Sequence, residues 1–401
     1  MISIHGALQK ILVAVTPLPA ELVPLAEAAG RFTSGETKSP VNLPPHDNSS
    51  VDGYAVRAED LASATVQSPV TLSLAGYSPA GGAYLGTLQP GECVRIFTGS
   101  VMPRGADAVV MQEDVETEPS QPRSVIFREK VRPFDNVRFL GEDVQQHTVL
   151  VGPGEKLTAG RVGLLAAAGM EKVACRLRPT VALIATGSEL REAGHELEPG
   201  AIYESNRLSL SILVKQTGAI PKTPPLVTDD LDATKFSLER AFQYCDAVVT
   251  TGGVSVGDLD WVRRAFTEIG GELDFFGVEL RPGKPFAFGR LGKKLFFALP
   301  GNPVSAMVTF FLLVRPALLR MQGVLDVLPP YRLGRLAEPL DNDGGRRHFM
   351  RVTLDTAGDV RSAGKQASHI LRATALSDGL VEVPPNTTLP AGSMVNVLLW
   401  S

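Results

Sequence analysis

Cysteine and histidine are scarce in this sequence of 401 residues, which contains three cysteines and six histidines. Cys93, Cys175 and Cys245 are far apart, no CxxC pair occurs, and there is no HExxH motif. A disulfide framework needs paired cysteines, and a structural zinc site needs closely spaced ligands. The sequence therefore indicates neither kind of protein.

Long apolar runs and a strong charge of one sign are also missing. The apolar run at 307–314 ends at Arg315, whereas about 20 apolar residues are needed to cross a bilayer. The N-terminal apolar run is interrupted by Gly6 and Gln9, which is not typical of a signal peptide. The net charge of -4 provides no basic footprint for nucleic acid. We therefore expect a soluble, cytoplasmic protein without a nucleic-acid or membrane partner.

The hydrophobic content of 44% is enough to build several cores, and the pattern changes along the chain. Residues 3–15 and 21–29 predict short amphipathic helices, the second ending at Gly30. Short β-branched runs separated by turn residues then predict a small β domain, and helical periodicity returns at 160–170. We predict a helical and linking region at 1–43 and 141–175, an inserted β domain at 44–140, an α/β domain at 176–326 and a C-terminal β domain at 327–401.

The α/β region has the clearest pattern. Apolar strand candidates such as VALIAT, DAVVTT and KLFFAL alternate with helical segments. This alternation predicts a doubly wound, mostly parallel sheet covered by helices on both faces. The predicted fold class is therefore α/β plus β, in several domains.

Three of these strands end in glycine-containing loops. VALIAT precedes Gly187, DAVVTT precedes Gly252 and Gly253, and KLFFALP precedes Gly301 and Asn302. Glycine permits close approach of the backbone, and the N-terminus of a following helix can bind an anion. One such loop is more often a simple tight turn. Three at the carboxyl edge of one sheet favour a phosphate-binding site.

Acidic residues accompany these loops. Glu189, Asp229, Asp258 and Asp260 follow strand ends, and carboxylates repel phosphate unless a cation lies between them. Oxygen ligands of this kind suit Mg²⁺. The alternative is that they cap helix N-termini, which we favour for Asp258, whereas Glu189 and Asp260 are candidate functional residues.

Positive groups follow in two places. Arg281 and Lys284 flank a Pro-Gly turn between two strands, and Arg346, Arg347 and Arg351 cluster further on. Arginines suit a tetrahedral oxyanion because they donate charge-assisted hydrogen bonds. An exposed strand face is an equally good interpretation of the cluster.

Nine stretches together resemble one enzyme family, the molybdopterin molybdenumtransferases (the MoeA and gephyrin E-domain family). They run in family order across nearly the whole chain, which makes their joint specificity high. The stretches are DNSSVDGYAVR, RIFTGSVMPRGADAVV, GED at 141–143, ATGSEL, SNRLSL, TGGVSVGDLDW, RPGKPFAFG, LPGNPVSA and QASHIL.

The resemblance implies a molybdopterin-binding α/β domain, a C-terminal β-barrel and an elongated homodimer with an active cleft between subunits. It implies a reaction that takes adenylylated molybdopterin and molybdate, hydrolyses the adenylate with a divalent cation, and releases AMP. Other molybdenum-cofactor synthesis proteins are implied as partners.

The resemblance also implies roles for individual residues, which fall into three sets. Catalytic positions are Asp52, Asp143, Glu189, Asp229 and Asp260, of which Glu189, Asp229 and Asp260 hold the cation. Substrate-binding positions are Thr98, Gly252, Gly253, Ser255, Arg281, Lys284, Asn302 and Ser305. Molybdate-binding positions are Lys284, Ser305, Arg351 and Ser368.

The sequence departs from the family pattern at Gly277, at Arg281 and at HDNSSV (46–51), where FDNSAM is commoner, although Asp52 is retained. Gly277 stands where some relatives have lysine, and Arg281 replaces a lysine found in some relatives. Two alternatives remain open: a non-catalytic scaffold like gephyrin, and an insertase that prefers tungstate. The chain lacks the fused second domain of gephyrin, which favours the enzyme.

Overall fold

The N-terminal region combines two α-helices with short strands, in a computed structural model that describes residues 1–253 and 261–400. The first helix, Ile4–Ala14, begins where the Ser3 hydroxyl accepts a hydrogen bond from the Gly6 backbone N–H at 3.1 Å. A second helix, Ala159–Ala167, confirms the helical prediction for that segment.

The predicted helix at 21–29 is wrong. Ala20–Pro24 is a strand that pairs antiparallel with Lys172–Arg176, and a 3₁₀ turn, Leu25–Glu27, follows it. Proline within a helix removes a backbone hydrogen bond and clashes with the preceding turn. Here Pro24 ends an edge strand in which Val23 is buried opposite Val173, so long-range pairing decides the local structure.

The predicted β region forms a six-stranded sheet with alternate residues buried on its two faces. Tyr54 and Val56 pack with Phe127 on one face, whereas Ala55 packs with Val94 on the other. The strands, in spatial order, are Ala108–Met111, Gly53–Val56, Glu92–Ile96, Val70–Ser78, Ser124–Phe127 and Val115–Thr117. Two further antiparallel pairs flank this sheet along the chain: Asn48–Ser49 with Val137–Arg138, and Thr37–Lys38 with Val149–Val151.

The α/β domain contains the expected mostly parallel sheet, in which the first four strands pair in parallel and the last two are added by antiparallel pairings. Its strands are buried on both faces, as their continuous apolar runs require: Val249 faces one core and Val248 faces the other. The spatial order is Ile220–Lys222, Thr180–Ala185, Ala247–Thr251, Lys294–Leu299, Ala287–Leu291 and Glu272–Phe276.

Helices cover both faces of this sheet. The longest runs over 303–321 as two α-helical segments joined by a π-helical turn, and 83% of its most apolar 18-residue window is buried. It is long and apolar enough to cross a membrane, but its burial is that of a core helix in a soluble protein. The helical segments are Asn206–Gln216, Leu231–Tyr244, Trp261–Glu268, Pro303–Thr309, Phe310–Val314 and Arg315–Met321.

The C-terminal region is a closed barrel of five strands, which confirms the barrel implied by the resemblance. A strand of the α/β domain, Leu280–Arg281, pairs with Arg347–His348 at the rim of the barrel. The barrel is therefore joined to the turn that carries Lys284. Its strands, in ring order, are Arg347–Leu354, Asp359–Ser362, Tyr331–Leu336, Met394–Leu399 and Gly379–Val383.

Burial shifts the pKa of side chains that lie in these cores. Cys93, Cys175 and Cys245 are separate buried thiols, and burial raises the pKa of Cys93 to about 12. In the barrel, burial and the nearby Arg281 lower the pKa of His348 to about 4. These groups are neutral at physiological pH and belong to the scaffold.

Candidate active site

The carboxyl ends of three parallel strands meet at one edge of the sheet, as the sequence predicts. In the register, Ala185 is opposite Thr251 and Thr251 is opposite Leu299, so the three strands end at the same level. Beyond them lies a cavity of about 800 Å³, which is within the usual range for a small-molecule site. Five predicted site residues line it: Glu189, Gly252, Gly253, Lys284 and Asn302.

Glycine is required at both positions of the central loop. Gly252 and Gly253 have φ of +86° and +62°, in the left-handed region that other residues rarely adopt. A Cβ on Gly252 would lie 2.4 Å from the Thr186 carbonyl oxygen, and one on Gly253 would lie 2.6 Å from Val262. Larger residues would force the loop away from the neighbouring strand.

Two of the predicted acids lie in adjacent loops, but they are held differently. Glu189 lines the cavity, and its side chain has no hydrogen bond or ion pair among the described residues. The Asp229 carboxylate accepts a hydrogen bond from the Ser188 N–H at 2.9 Å, and the Ser188 hydroxyl accepts one from the Asp229 N–H at 3.1 Å. Asp229 therefore fastens the loop that carries Glu189.

Only part of the predicted cation site lies within the described residues. Asp260, the third predicted ligand, and Ser255 lie outside the described residues. Within 1–253 and 261–400, no group of three or more His, Cys, Asp or Glu side chains is placed to hold a metal ion. The two acids that are described, Glu189 and Asp229, offer only oxygen donors, which is the donor chemistry that Mg²⁺ prefers.

Lys284 lies on a tight turn beside the cavity. Its backbone carbonyl accepts a hydrogen bond from the Val278 N–H at 3.0 Å, and the Phe286 carbonyl accepts one from the Gly277 N–H at 2.8 Å. These bonds hold the exposed Lys284 at the rim. Gly277 has a φ of +81°, so this position favours glycine over residues with a side chain.

The predicted arginines do not converge on the cavity. The Arg281 guanidinium lies 3.5 Å from the Asp343 carboxylate, on the barrel side. Arg346 donates to the Leu280 carbonyl at 3.0 Å, and Arg347 forms an exposed ion pair with Glu382. Each arginine therefore has its own partner.

Arg351 is buried, with 1% of its surface exposed, so the interpretation as an exposed strand face is wrong for this residue. Of its five N–H donors, four bond to the segment 365–370. Burial lowers the pKa of its guanidinium. The acceptors are the carbonyls of Lys365, Ala367 and Ile370 and the Gln366 side chain.

The segment held by Arg351 contacts the helix that follows Asn302. The Ser368 carbonyl accepts a hydrogen bond from the Val304 N–H at 3.3 Å, and Ser305, with 4% exposure, lies in the same first turn. Arg351 thus connects the barrel to the cavity edge through a loop. None of these three predicted molybdate ligands lines the cavity itself.

A second group of predicted residues lies in the N-terminal half. One Asp52 carboxylate oxygen accepts hydrogen bonds from the Thr98 N–H and the Thr98 hydroxyl, both at 2.8 Å. Asp143 is exposed, and its N–H donates to the Leu43 carbonyl at 3.0 Å. Asp52, Thr98 and Asp143 do not line the cavity of their own chain.

The Thr98 hydrogen bonds lower the pKa of Asp52, the backbone N–H having the larger effect. We expect Thr98→Val, which removes only the hydroxyl, to raise that pKa part of the way towards its ordinary value. A folded pKa below the unfolded one stabilises the fold above the ordinary carboxyl pKa, and this contribution is lost as the pH falls through the folded value. NMR titration of the Asp52 carboxyl carbon in both proteins measures the shift. Identical titration midpoints would contradict the expectation.

Three polar residues of the cavity, Thr186, Asn206 and Thr251, were not selected from the sequence. Thr186 belongs to the strand motif ATGSEL and Asn206 to SNRLSL. The sequence feature that could have identified these two is their position: Thr186 directly follows a buried strand, and Asn206 begins a helix. Sequence spacing alone gave no reason to select them.

Comparison with known proteins accounts for this arrangement. The chain matches three family models in order: "MoeA N-terminal region (domain I and II)" over residues 2–169, "Probable molybdopterin binding domain" over 182–320, and "MoeA C-terminal region (domain IV)" over 334–400. The fold and the site therefore place this chain in a class of multidomain proteins whose central α/β domain matches the model for a probable molybdopterin binding domain.

Curated relatives and a solved structure agree with this class. Molybdopterin molybdenumtransferase 2 from Mycobacterium tuberculosis is 39% identical over 94% of both chains. The Haemophilus influenzae molybdopterin molybdenumtransferase is 36% identical over 93% of this chain and 92% of its own. The molybdopterin biosynthesis moeA protein from Pyrococcus horikoshii superimposes with a TM-score of 0.86, at 31% identity and full coverage of both chains. The chain therefore belongs to the MoeA family of transferases, and its role lies in molybdenum-cofactor biosynthesis.

Proposed function

We propose that this transferase inserts molybdenum into molybdopterin, converting adenylylated molybdopterin and molybdate to the molybdenum cofactor and AMP. The supporting observation is that Glu189 and Lys284 line one cavity of about 800 Å³ beside two glycine loops. A carboxylate and an ammonium group at the same edge suit a substrate that carries phosphates and requires a cation. The alternative is an enzyme with the same reaction that prefers tungstate to molybdate.

Lys284 binds a phosphate or the oxyanion, and the Gly252–Gly253 backbone allows the substrate to approach closely. Glu189, with Asp229 and Asp260, would hold a divalent cation such as Mg²⁺. When bound, that cation supplies positive charge to the phosphates. Asp229 also keeps the Glu189 loop in place through its two bonds to Ser188.

Molybdate would lie near Lys284 and Ser305, at the start of the helix that follows Asn302. Ser368 and Arg351 complete this side, with Arg351 acting chiefly through the loop that it holds. Four of its five N–H donors bond to this loop, so a direct contact with the anion is limited to the fifth.

The N-terminal residues require a second chain. Asp52, Thr98 and Asp143 are off the cavity of their own subunit, so we propose a homodimer in which they reach the partner's cavity. The enzyme works in the cytoplasm, where other molybdenum-cofactor synthesis proteins supply the adenylylated substrate.

This dimer makes a complementation experiment possible. Asp52→Ala and Glu189→Ala should each be inactive alone, because each damages one half of every cleft. After subunit exchange at equal concentrations, half of the dimers are mixed, so about a quarter of all clefts are intact. AMP release should recover to about that fraction. A mixture that stays inactive, or a fully active monomer in sedimentation, would contradict the shared cleft.

The proposed reaction is tested by incubating the protein with adenylylated molybdopterin, molybdate and Mg²⁺ and following AMP by chromatography. We expect AMP release that depends on the protein. Substrate that stays intact with folded protein, at all molybdate and Mg²⁺ concentrations, would show that the function is wrong.

A further inference from the structure

Asn206 has one fixed hydrogen bond and one unused acceptor. It is the first residue of the helix Asn206–Gln216, and its Nδ2 donates to the Gly301 carbonyl at 2.7 Å. This bond fixes the orientation of the amide, because the reverse orientation would place Oδ1 against a carbonyl oxygen. Oδ1 is buried and accepts no hydrogen bond among the described residues. Asn206 is one of the residues that line the cavity.

Thr186 provides a second unused polar atom. Thr186 is 5% exposed and is one of the residues that line the cavity. Its Oγ1 is buried and has no partner among the described residues. A Cβ on Gly252 would lie 3.2 Å from this oxygen, and one on Gly301 would lie 3.5 Å from Gly252 Cα. Thr186, Gly252, Gly301 and Asn206 are therefore consecutive neighbours across the strand ends.

Buried polar atoms without a hydrogen-bond partner lower the stability of the fold unless a ligand or water forms that hydrogen bond. Both atoms here are neutral, and an amide oxygen can only accept a hydrogen bond. Asn206 Oδ1 therefore suits an N–H group better than an ionised phosphate, which carries no donor. The Thr186 hydroxyl, which can both donate and accept, can accept from the same kind of group. Phe276 and Pro285 line the same cavity and provide apolar surface of the kind on which a flat ring can pack.

We propose that Asn206 Oδ1 and Thr186 Oγ1 accept hydrogen bonds from ring N–H groups of the substrate and thereby orient it in the cavity. This inference rests on the proposed function, whose substrate carries two such rings, a pterin and an adenine. Asn206 and Thr186 select the heterocycle, whereas Lys284 and the acids act on its charged groups.

The test measures equilibrium binding of two probes, molybdopterin and AMP, to the full-length protein and three variants. Thr186→Val removes a hydroxyl that makes no bond within the described residues, so the variant should keep the stability of the wild type. Asn206→Ala removes the acceptor together with the bond to Gly301. Thr250→Val is the matched control, because Thr250 Oγ1 is also buried and unpartnered but does not line the cavity.

We expect Thr186→Val and Asn206→Ala each to weaken binding of at least one probe by roughly tenfold, the loss for about one hydrogen bond to a ligand. Thr250→Val should bind both probes like the wild type. Loss confined to molybdopterin identifies the pterin ring, and loss confined to AMP identifies the adenine.

Wild-type affinity of Thr186→Val for both probes would overturn the proposal, even if Asn206→Ala binds weakly, because Asn206 would then act only by fastening Gly301. Equal losses in the Thr250 control would overturn it as well, as would failure of the wild-type protein to bind either probe. The readout is binding without turnover. If the variants show the expected losses of affinity but the wild-type protein releases no AMP in the reaction assay, the proposed function is refuted and this inference is not.

Discussion

Glu189→Gln is expected to lower molybdate-dependent AMP release by at least about 100-fold, the usual scale for removing one electrostatic group at a reacting centre. The substitution removes the negative charge but keeps the size of the side chain. The Glu189 side chain makes no hydrogen bond or ion pair within the described residues, so the fold should be retained. The backbone bond from the Ile202 N–H to the Glu189 carbonyl does not depend on the side chain.

The measurement is the initial rate of AMP release over a range of Mg²⁺ concentrations, with thermal unfolding recorded for each protein. Glu198→Gln is the matched control, since Glu198 lies on the same segment but is exposed and paired with Arg191. The control should retain the wild-type rate. A wild-type rate and unchanged Mg²⁺ dependence in Glu189→Gln would show that this carboxylate has no part in the reaction.

Arg351→Met is expected to have the largest effect on stability. It removes the four hydrogen bonds that the buried guanidinium donates to the segment 365–370. Hydrogen bonds to charged groups contribute about 1.5–3 kcal/mol each, so the free energy of unfolding should fall by at least about 3 kcal/mol. The molybdate concentration for half-maximal rate should rise as well, because the loop that carries Ser368 loses its support.

Denaturant unfolding and molybdate titration of the same samples separate these effects. Arg351→Lys should recover only part of both, because one ammonium cannot reach all four acceptors. Arg347→Met is the control: its exposed ion pair with Glu382 contributes about 0–1 kcal/mol at most. If Arg351→Met unfolds like the wild type and loses only molybdate affinity, Arg351 is an anion ligand and not a loop support.

The architecture of the α/β domain could be predicted because its signals are local. The runs VALIAT, DAVVTT and KLFFAL are apolar throughout, as strands buried on both faces must be, and each is followed by glycine. Those two features were enough to place the three loops at one edge. The helix prediction for 21–29 was wrong because the apolar spacing of this segment suits either a helix or a strand. Pairing with Lys172–Arg176 decides between them.

The directions of long side chains could not be predicted. Sequence spacing placed Arg281 and Arg351 near the site, but their guanidinium groups reach Asp343 and the segment 365–370. Asn206 was missed because its role depends on Gly301, which lies 95 residues further along the chain. Contacts of this kind exist only in the folded molecule.

The central claim is that adenylate cleavage and molybdenum insertion occur together in this protein. The most direct test is the ratio of AMP released to molybdenum transferred to the dithiolene, measured in one reaction by chromatography and metal analysis. We expect one AMP for each molybdenum, with both rates falling together in Glu189→Gln. Molybdenum insertion without AMP release, or AMP release at full rate with no molybdenum in the product, would contradict the account.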